Sequence, residues 1–372
     1  MRGMNRDLLK MYPLARRDNL LSISDIAVSP ESTPYSVTKQ EEAQISRLAD
    51  RIIAAHRSGS SVILTYGAHL VKNGLGPVVA RMIRDGWITH VATNGAGSIH
   101  DWEFAHIGMS SESVRDNVAR GMFGTWEETG LFINTAITMG VIDGLGYGWS
   151  IGKMIADDGI VVPSKDSLRE RIAEVLASDA PGDELGALSD ALSTIYRYEL
   201  RQGRIEIEHP FKDYSIQYVA WKEGTPFTVH PGIGYDIIYT HPANCGGAIG
   251  RGAVRDFLSY ADSVAGLGGG VHISIGSAIM APMIFEKSLS MANNLSIRKT
   301  GQPISNHYLA VVDIQDGGGW DWSQGEPPKD NPAYYLRFCK SFNRMGGTLD
   351  YICMDNRHFM VNLYNELNAK RQ

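Results

Sequence analysis

Apolar positions along the chain fall into two alternating rhythms. Residues 41–57 set Ile45, Leu48, Ile52 and Ile53 on one side and charges on the other, which predicts an amphipathic helix. A short apolar run follows from Ser61 to Tyr66, of strand length and rich in β formers. Helical spacing returns over 77–84, Asp85-Gly86 ends it, and 89–93 is a second strand-like run. The second half repeats the rhythm. Strands are predicted over 235–240, 263–267, 271–275, 308–314 and 348–353, and helices over 251–260, 278–292, 332–344 and 357–369.

Strand–helix–strand repetition is the unit from which parallel sheets are built. The expected fold is therefore α/β: a Rossmann-like, doubly wound, mainly parallel sheet with helices on both faces. The middle of the chain breaks the rhythm. Residues 165–203 are charged and helical in pattern, with Pro181-Gly182 as a break, so a helical insertion is expected at about 150–228. No Gly/Ser-rich or Pro-rich linker divides the chain. Residues 1–40 are read as an N-terminal arm and 41–372 as one large α/β domain.

Composition narrows the function. Hydrophobic residues make up 43% and charged residues 20%, a globular balance that excludes wholesale disorder. The net charge of −6 argues against a nucleic-acid partner, which calls for a basic surface. No apolar run approaches the ~20 residues of a membrane span, so no membrane partner is expected. The basic N-terminus (Arg2, Arg6, Lys10, Arg16, Arg17) lacks a following apolar segment, which argues against a secretory signal and reads as a surface arm or oligomer contact. Cys245, Cys339 and Cys353 are scattered, as in a reducing, cytoplasmic compartment.

Glycine is the unusual residue, at 40 of 372 against roughly 7% in ordinary proteins. Clusters stand at Gly67-Ala68-His69, Asn94-Gly95-Ala96-Gly97, Leu267-Gly268-Gly269-Gly270 and Asp316-Gly317-Gly318-Gly319, each read as following a strand. Such loops let backbone approach a nucleotide. The G-x-G-x-x-G fingerprint and the Walker A sequence are both absent. The segment 313–326 alternates Asp313, Asp316, Asp321 and Glu326 with Trp320 and Trp322, a composition suited to an organic cation. The spacing of His69, His90, His100 and His106 fits no standard ligand set, so no metal is expected, and His100 is a candidate acid–base group.

These segments, in this order, resemble deoxyhypusine synthase. The likeness runs through Leu70-Val71-Lys72-Asn73-Gly74, Val91 to Asp101, Gly232-Ile233-Gly234-Tyr235-Asp236-Ile237-Ile238, Leu267 to Val271, the Asp316-Gly317 loop and Asp355. It covers about half the chain, chiefly 60–105 and 229–360. The resemblance implies an NAD-dependent homotetramer that oxidises a polyamine or related small amine and transfers its aminoalkyl group through a lysine imine. By that resemblance Asp236, Asp316 and Asp321 hold ammonium groups and Trp320 or Trp322 stacks on the chain. His69, Asn94, Gly95, Gly97, Gly269, Gly270 and Asp355 meet NAD. The family's Trp-Gly-Lys is missing here; Lys340, or Lys329 within the loop, is the candidate imine-forming lysine. His100 stands where the family has an acidic residue. Two alternatives follow from these departures: a relative that only binds a nucleotide or metabolite, or a different NAD-dependent reaction using His100 and no lysine imine.

Overall fold

The computed structural model describes residues 3–178 and 182–371. Six strands form one parallel sheet: β1 (Val62–Tyr66), β2 (His90–Asn94), β3 (Phe227–His230), β4 (Val271–Ile275), β5 (Tyr308–Asp313) and β6 (Thr348–Cys353). Their spatial order is β6-β5-β4-β1-β2-β3. Register is continuous, with Tyr66 level with both Ile275 and Thr93, and Val312 level with both Ile275 and Ile352. All six carboxyl ends therefore lie along one edge of the sheet. The order reverses between β1 and β4, where a doubly wound sheet opens a crevice beyond its strands.

Alternating side chains build a core on each face. Val62, Leu64, Tyr66, Val91, Ile273 and Val312 point to one side, against Leu48 and Ile52 of α1 (Lys39–Ser58), Val79 and Met82 of α2 (Gly76–Arg84) and Phe359 and Leu363 of the C-terminal helix Asn356–Arg371. Ile63, Ala92, Leu309 and Val311 point to the other, against Tyr260 and Val264 of Gly246–Ala265 and Phe285 and Leu289 of Met280–Thr300. The doubly wound α/β fold thus forms as the alternation predicts. A Thr38–Glu41 capping box starts α1, and Gly59 in the left-handed region ends it.

Two expected strands do not form. Residues 235–240 are a loop with one 3₁₀ turn, Ile237–Tyr239, and the strand of that region is β3, which ends at His230 before the loop begins. Residues 263–267 close the helix Gly246–Ala265. Each run packs only part of its apolar residues inward, Ile238 in the first and Val264 and Leu267 in the second, and a short apolar run does not distinguish strand from helix or loop. Between β2 and β3 the chain is mostly helical: α3 (Gly95–Ile107), then Glu127–Gly140, Tyr147–Ala156, Lys165–Ala177, Gly182–Tyr198 and Ile216–Glu223. The expected break at Pro181 falls outside the described residues, as does Arg2. No helix among the described residues is long and apolar enough to cross a membrane.

The N-terminal residues do not lie loosely on the surface. Leu21–Ser22 pairs antiparallel with Met109–Ser110, Leu20 N donates to Ser111 O at 3.0 Å, and Tyr12 bridges to Trp126. Arg17 is carried by this arm into the protein, with only 2% of its side chain exposed.

Candidate functional site

Two glycines shape the floor of the crevice. Gly67 N donates to Ile275 O at 3.0 Å, and a Cβ on Gly67 would lie 2.2 Å from Gly276 O. Only glycine permits strand ends to approach this closely. Gly276 has φ +55°, and nothing stands within 4 Å of where its Cβ would be. A cavity of about 260 Å³ opens here, lined by His69, Asn73, Gly276, Asp313, Asp355 and Asn356 among others. Asp355 Oδ1 accepts from Arg357 N, and Asn73 Nδ2 donates to Asn356 Oδ1 at 2.7 Å. Carboxylates and carboxamides around an open glycine turn are groups that suit a ribose diol or a carboxamide.

The short helix His69–Lys72, which follows β1, separates this crevice from a second cavity. The second is about 200 Å³ and lies beyond β2, with Arg17, Lys72, His100, Glu103, Ser111, Glu112, Tyr235 and Asp236 in its wall. α3 positions His100 and Glu103 three residues apart, so both side chains share one helix face. Arg17 Nη1 is 2.6 Å from Glu103 Oε1, and Glu103 is 1% exposed. Thr129 Oγ1 also donates to Oε1, at 3.0 Å, and Ser110 Oγ donates to Oε2 at 2.5 Å. Burial alone would raise the Glu103 carboxyl, but the Arg17 guanidinium outweighs it and holds the group below its ordinary range.

This network fixes the His100 tautomer. The single Ser110 proton goes to Glu103, so the His100 Nδ1, 2.7 Å from Ser110 Oγ, must donate to that oxygen. Nε2 is then the unprotonated nitrogen. Burial lowers the imidazole to about 4; the Glu103 charge opposes the shift, and Lys72 and Arg17 add to it. His100 is therefore neutral at pH 7, with its side chain 21% exposed. It is poised to accept a proton rather than give one.

Asp236 is the second titrating group of the cavity. Its carboxyl rests on Gly95, where a Cβ would lie 2.3 Å from Oδ2, and Oδ2 accepts from Gly232 N at 2.9 Å. Burial raises it to about 6 against that backbone bond. The hydroxyls of Tyr147 and Tyr239 are buried without a partner, and both tyrosines are shifted upward by burial first and by the Asp236 charge next.

The structure gathers some expected residues and separates others. His100 and Asp236 share the second cavity, and His69 and Asp355 share the crevice. Asn94 caps α3 through Gly97 N, while Gly95 and Gly97 receive the protein's own Asp236 and Thr93 side chains. Those two glycines serve internal packing. Gly269 and Gly270 sit at the amino end of β4, beside Ser60 and Ser61, so they are on the edge of the sheet away from the crevice. Asp316, Trp320, Asp321 and Trp322 line a separate, polar hollow with Asp350 and Cys353, against the outer strand β6. Within it Asp321 caps its own turn, Asp316 accepts from Gly318 N, and Trp320 Nε1 donates to Gly325 O. Lys340, on the helix Arg337–Asn343, holds its ammonium 3.6 Å from the Tyr334 ring centroid and lines neither the crevice nor the His100 cavity.

Arg17, Lys72, Ser110, Ser111 and Glu112 were not legible as site residues in the sequence. Glu103 carried one signal, a carboxylate three residues after His100 on the same helix face.

No family model and no curated protein matches the chain. Among solved structures it is similar to AgrE in a ternary complex with ornithine and NAD+, at 14% identity over 91% of this chain and 34% of that one, with a TM-score of 0.43. It is also similar to a LOR/SDH protein from Methanococcus maripaludis S2, at 16% identity over 93% and 74%, TM-score 0.44. A third is ArgZ, an arginine dihydrolase from the ornithine–ammonia cycle in Cyanobacteria, at 14% identity over 88% and 33%, TM-score 0.39. The chain spans about a third of the length of AgrE and ArgZ. The resemblance to deoxyhypusine synthase is not borne out: the solved structures named above are AgrE, ArgZ and a LOR/SDH protein, and Lys340 lines neither the crevice nor the His100 cavity.

Proposed function

We propose that the chain is an NAD-dependent oxidoreductase that oxidises an amine-bearing carbon of a small substrate, with His100 as proton acceptor and no lysine imine. The observation that carries this reading is the β6-β5-β4-β1-β2-β3 order, which puts a glycine-floored switch-point crevice beside the His100 cavity. The crevice residues fit a dinucleotide: Gly276 leaves room for it, and His69, Asn73, Asp313 and Asp355 would hold its ribose or nicotinamide side. When bound, NAD+ supplies the two-electron acceptor.

The chain's own residues do the rest. Asp236 and Glu112 give the substrate cavity negative charge suited to an ammonium group. His100 Nε2 takes the proton that leaves the substrate nitrogen on oxidation, and the bonds through Ser110 to Glu103 keep the ring in the accepting tautomer. Arg17 of the arm and His100 and Glu103 of α3 form part of the wall of this cavity.

Titration of the full chain with NAD+ and NADH by calorimetry tests the reading. Binding of either dinucleotide is expected, and Gly276→Val, which fills the crevice, and Asp355→Asn should each weaken it with circular dichroism unchanged. Absence of binding by the folded wild type overturns the proposal.

A further inference from the structure

Arg17 presents three nitrogens, and two have partners. Nη1 is committed to Glu103 at 2.6 Å and Nε to Asn19 Oδ1 at 2.8 Å. Nη2 has none, although the residue is 6% exposed and lies in the wall of the His100 cavity. Ser111 is in the same wall, 8% exposed, and its Oγ is also buried without a partner. Buried donors are seldom left unpaired in the absence of a ligand or water. Lys72 brings a third donor and a positive charge to the same cavity.

The segment holding Ser111 is built to keep it there. Ser111 has φ +69°, in the left-handed region that a serine rarely adopts. Its carbonyl is tied to Leu20 N of the arm, and its neighbour Ser110 is engaged by both His100 and Glu103. Arg17 is equally fixed, with its guanidinium 5.9 Å from the Trp126 ring centroid. Donors held rigid before a ligand arrives lose little freedom on binding.

We infer that Arg17 Nη2, Ser111 Oγ and Lys72 form a carboxylate-binding subsite, so that the substrate of the proposed oxidation is an amino acid rather than a simple amine or polyamine. The inference rests on the proposed function for its chemistry but not for its binding. The remaining charges of the cavity agree. Glu103 is neutralised by Arg17. Glu112, whose oxygens accept from Trp126 Nε1 and Asn117 Nδ2, and Asp236 are the acidic groups for the ammonium end. A guanidinium nitrogen, a hydroxyl, an ammonium and two carboxylates in the wall of one cavity suit a zwitterion.

Two pairs of compounds that differ only by a carboxylate test this: L-norvaline with 1-aminobutane, and L-ornithine with 1,4-diaminobutane. Each is titrated calorimetrically into the full chain, with and without NAD+. The acid of at least one pair should bind, with its amine roughly tenfold weaker or worse. Ser111→Ala or Lys72→Met should weaken the acid by a similar factor while leaving dinucleotide affinity unchanged. Equal binding of acid and amine, no binding by either acid, or full affinity in both variants overturns the subsite. Failure of NAD+ to bind overturns the proposed oxidation alone, because the titrations without dinucleotide still report on the carboxylate.

Discussion

The Nδ1 of His100 stands 2.7 Å from the Ser110 hydroxyl, which in turn donates to the buried carboxylate of Glu103. The serine thus orients a base that it does not itself titrate with. His100→Ala should lower turnover by roughly 10²–10⁴, the usual worth of a positioned acid–base group. Ser110→Ala should cost less and leave dinucleotide binding intact, because the ring keeps its cavity and loses only its tautomer lock. Steady-state rates alongside dinucleotide titration decide this. Full turnover in His100→Ala would show that the ring is not the base.

The pH profile should carry two acid-side limbs of distinct origin. His100 is lowered to about 4, so its accepting form persists down to that pH and is lost below it. Asp236 is raised to about 6, so its charge, and with it the attraction for an ammonium, is lost as pH falls through 6. kcat/KM for the wild type should therefore fall first near pH 6. Asp236→Asn should have a lower plateau and no limb there, keeping only the fall near pH 4. A limb at pH 6 that survives Asp236→Asn assigns it to another group.

Arg17 and Glu103 form an ion pair whose side chains are 2% and 1% exposed. Removing one charge strands the other in a low dielectric. Arg17→Met should destabilise the fold by about 3–5 kcal/mol in urea titrations. Adding Glu103→Gln should restore more than half of the loss, since the glutamine oxygen can still accept from Thr129 Oγ1 while its amide nitrogen donates to Ser110 Oγ. Additive losses in the double variant would mean that Arg17 acts through packing on Trp126 instead.

The pattern of apolar residues made the sheet legible because β1, β2, β4 and β5 are nearly continuous buried runs between helical segments; β6 spans 348–353 as expected. β3 was hidden, since Phe227–His230 is four residues long and carries Thr228 and His230 on one face. The site was legible only where backbone chemistry marks it. Gly67 and Asp236 could be read from turns and local motif, and His100 from its type. Arg17 could not, because nothing in a basic N-terminal stretch says that one arginine will cross to a glutamate 86 residues away. The glycines at 269 and 270 misled for a related reason: a turn before a strand and a turn after one have the same composition.

Lys340 should be dispensable for the reaction. Its ammonium is engaged with the Tyr334 ring at 3.6 Å, on a helix that packs beside β6 rather than at the His100 cavity. Lys340→Met should retain wild-type turnover, and borohydride added during turnover should leave no substrate-sized mass on the protein. A trapped adduct on Lys340 would restore the imine route.

A row of histidines beneath the sheet should set the acid stability. His90 meets Ser263 and Thr228, His230 meets the same Thr228 hydroxyl, and His272 meets Thr65 and Tyr260. Burial lowers all three to about 3. A depressed histidine stays neutral in the fold while the unfolded chain, near 6.5, takes up the proton, so the stability it contributes is complete above that value and declines as pH falls below it. At pH 5 the loss is about 2 kcal/mol per histidine. Asp256, raised by burial to about 8, binds its proton in the fold and opposes the trend, so the net slope alone does not isolate the histidines. His230→Gln does, since the amide can keep the Thr228 bond without titrating. Urea denaturation between pH 5 and 6 should show the wild-type slope reduced by nearly one proton, about 1.4 kcal/mol per pH unit, in this variant. An unchanged slope would mean that His230 protonates in the folded protein.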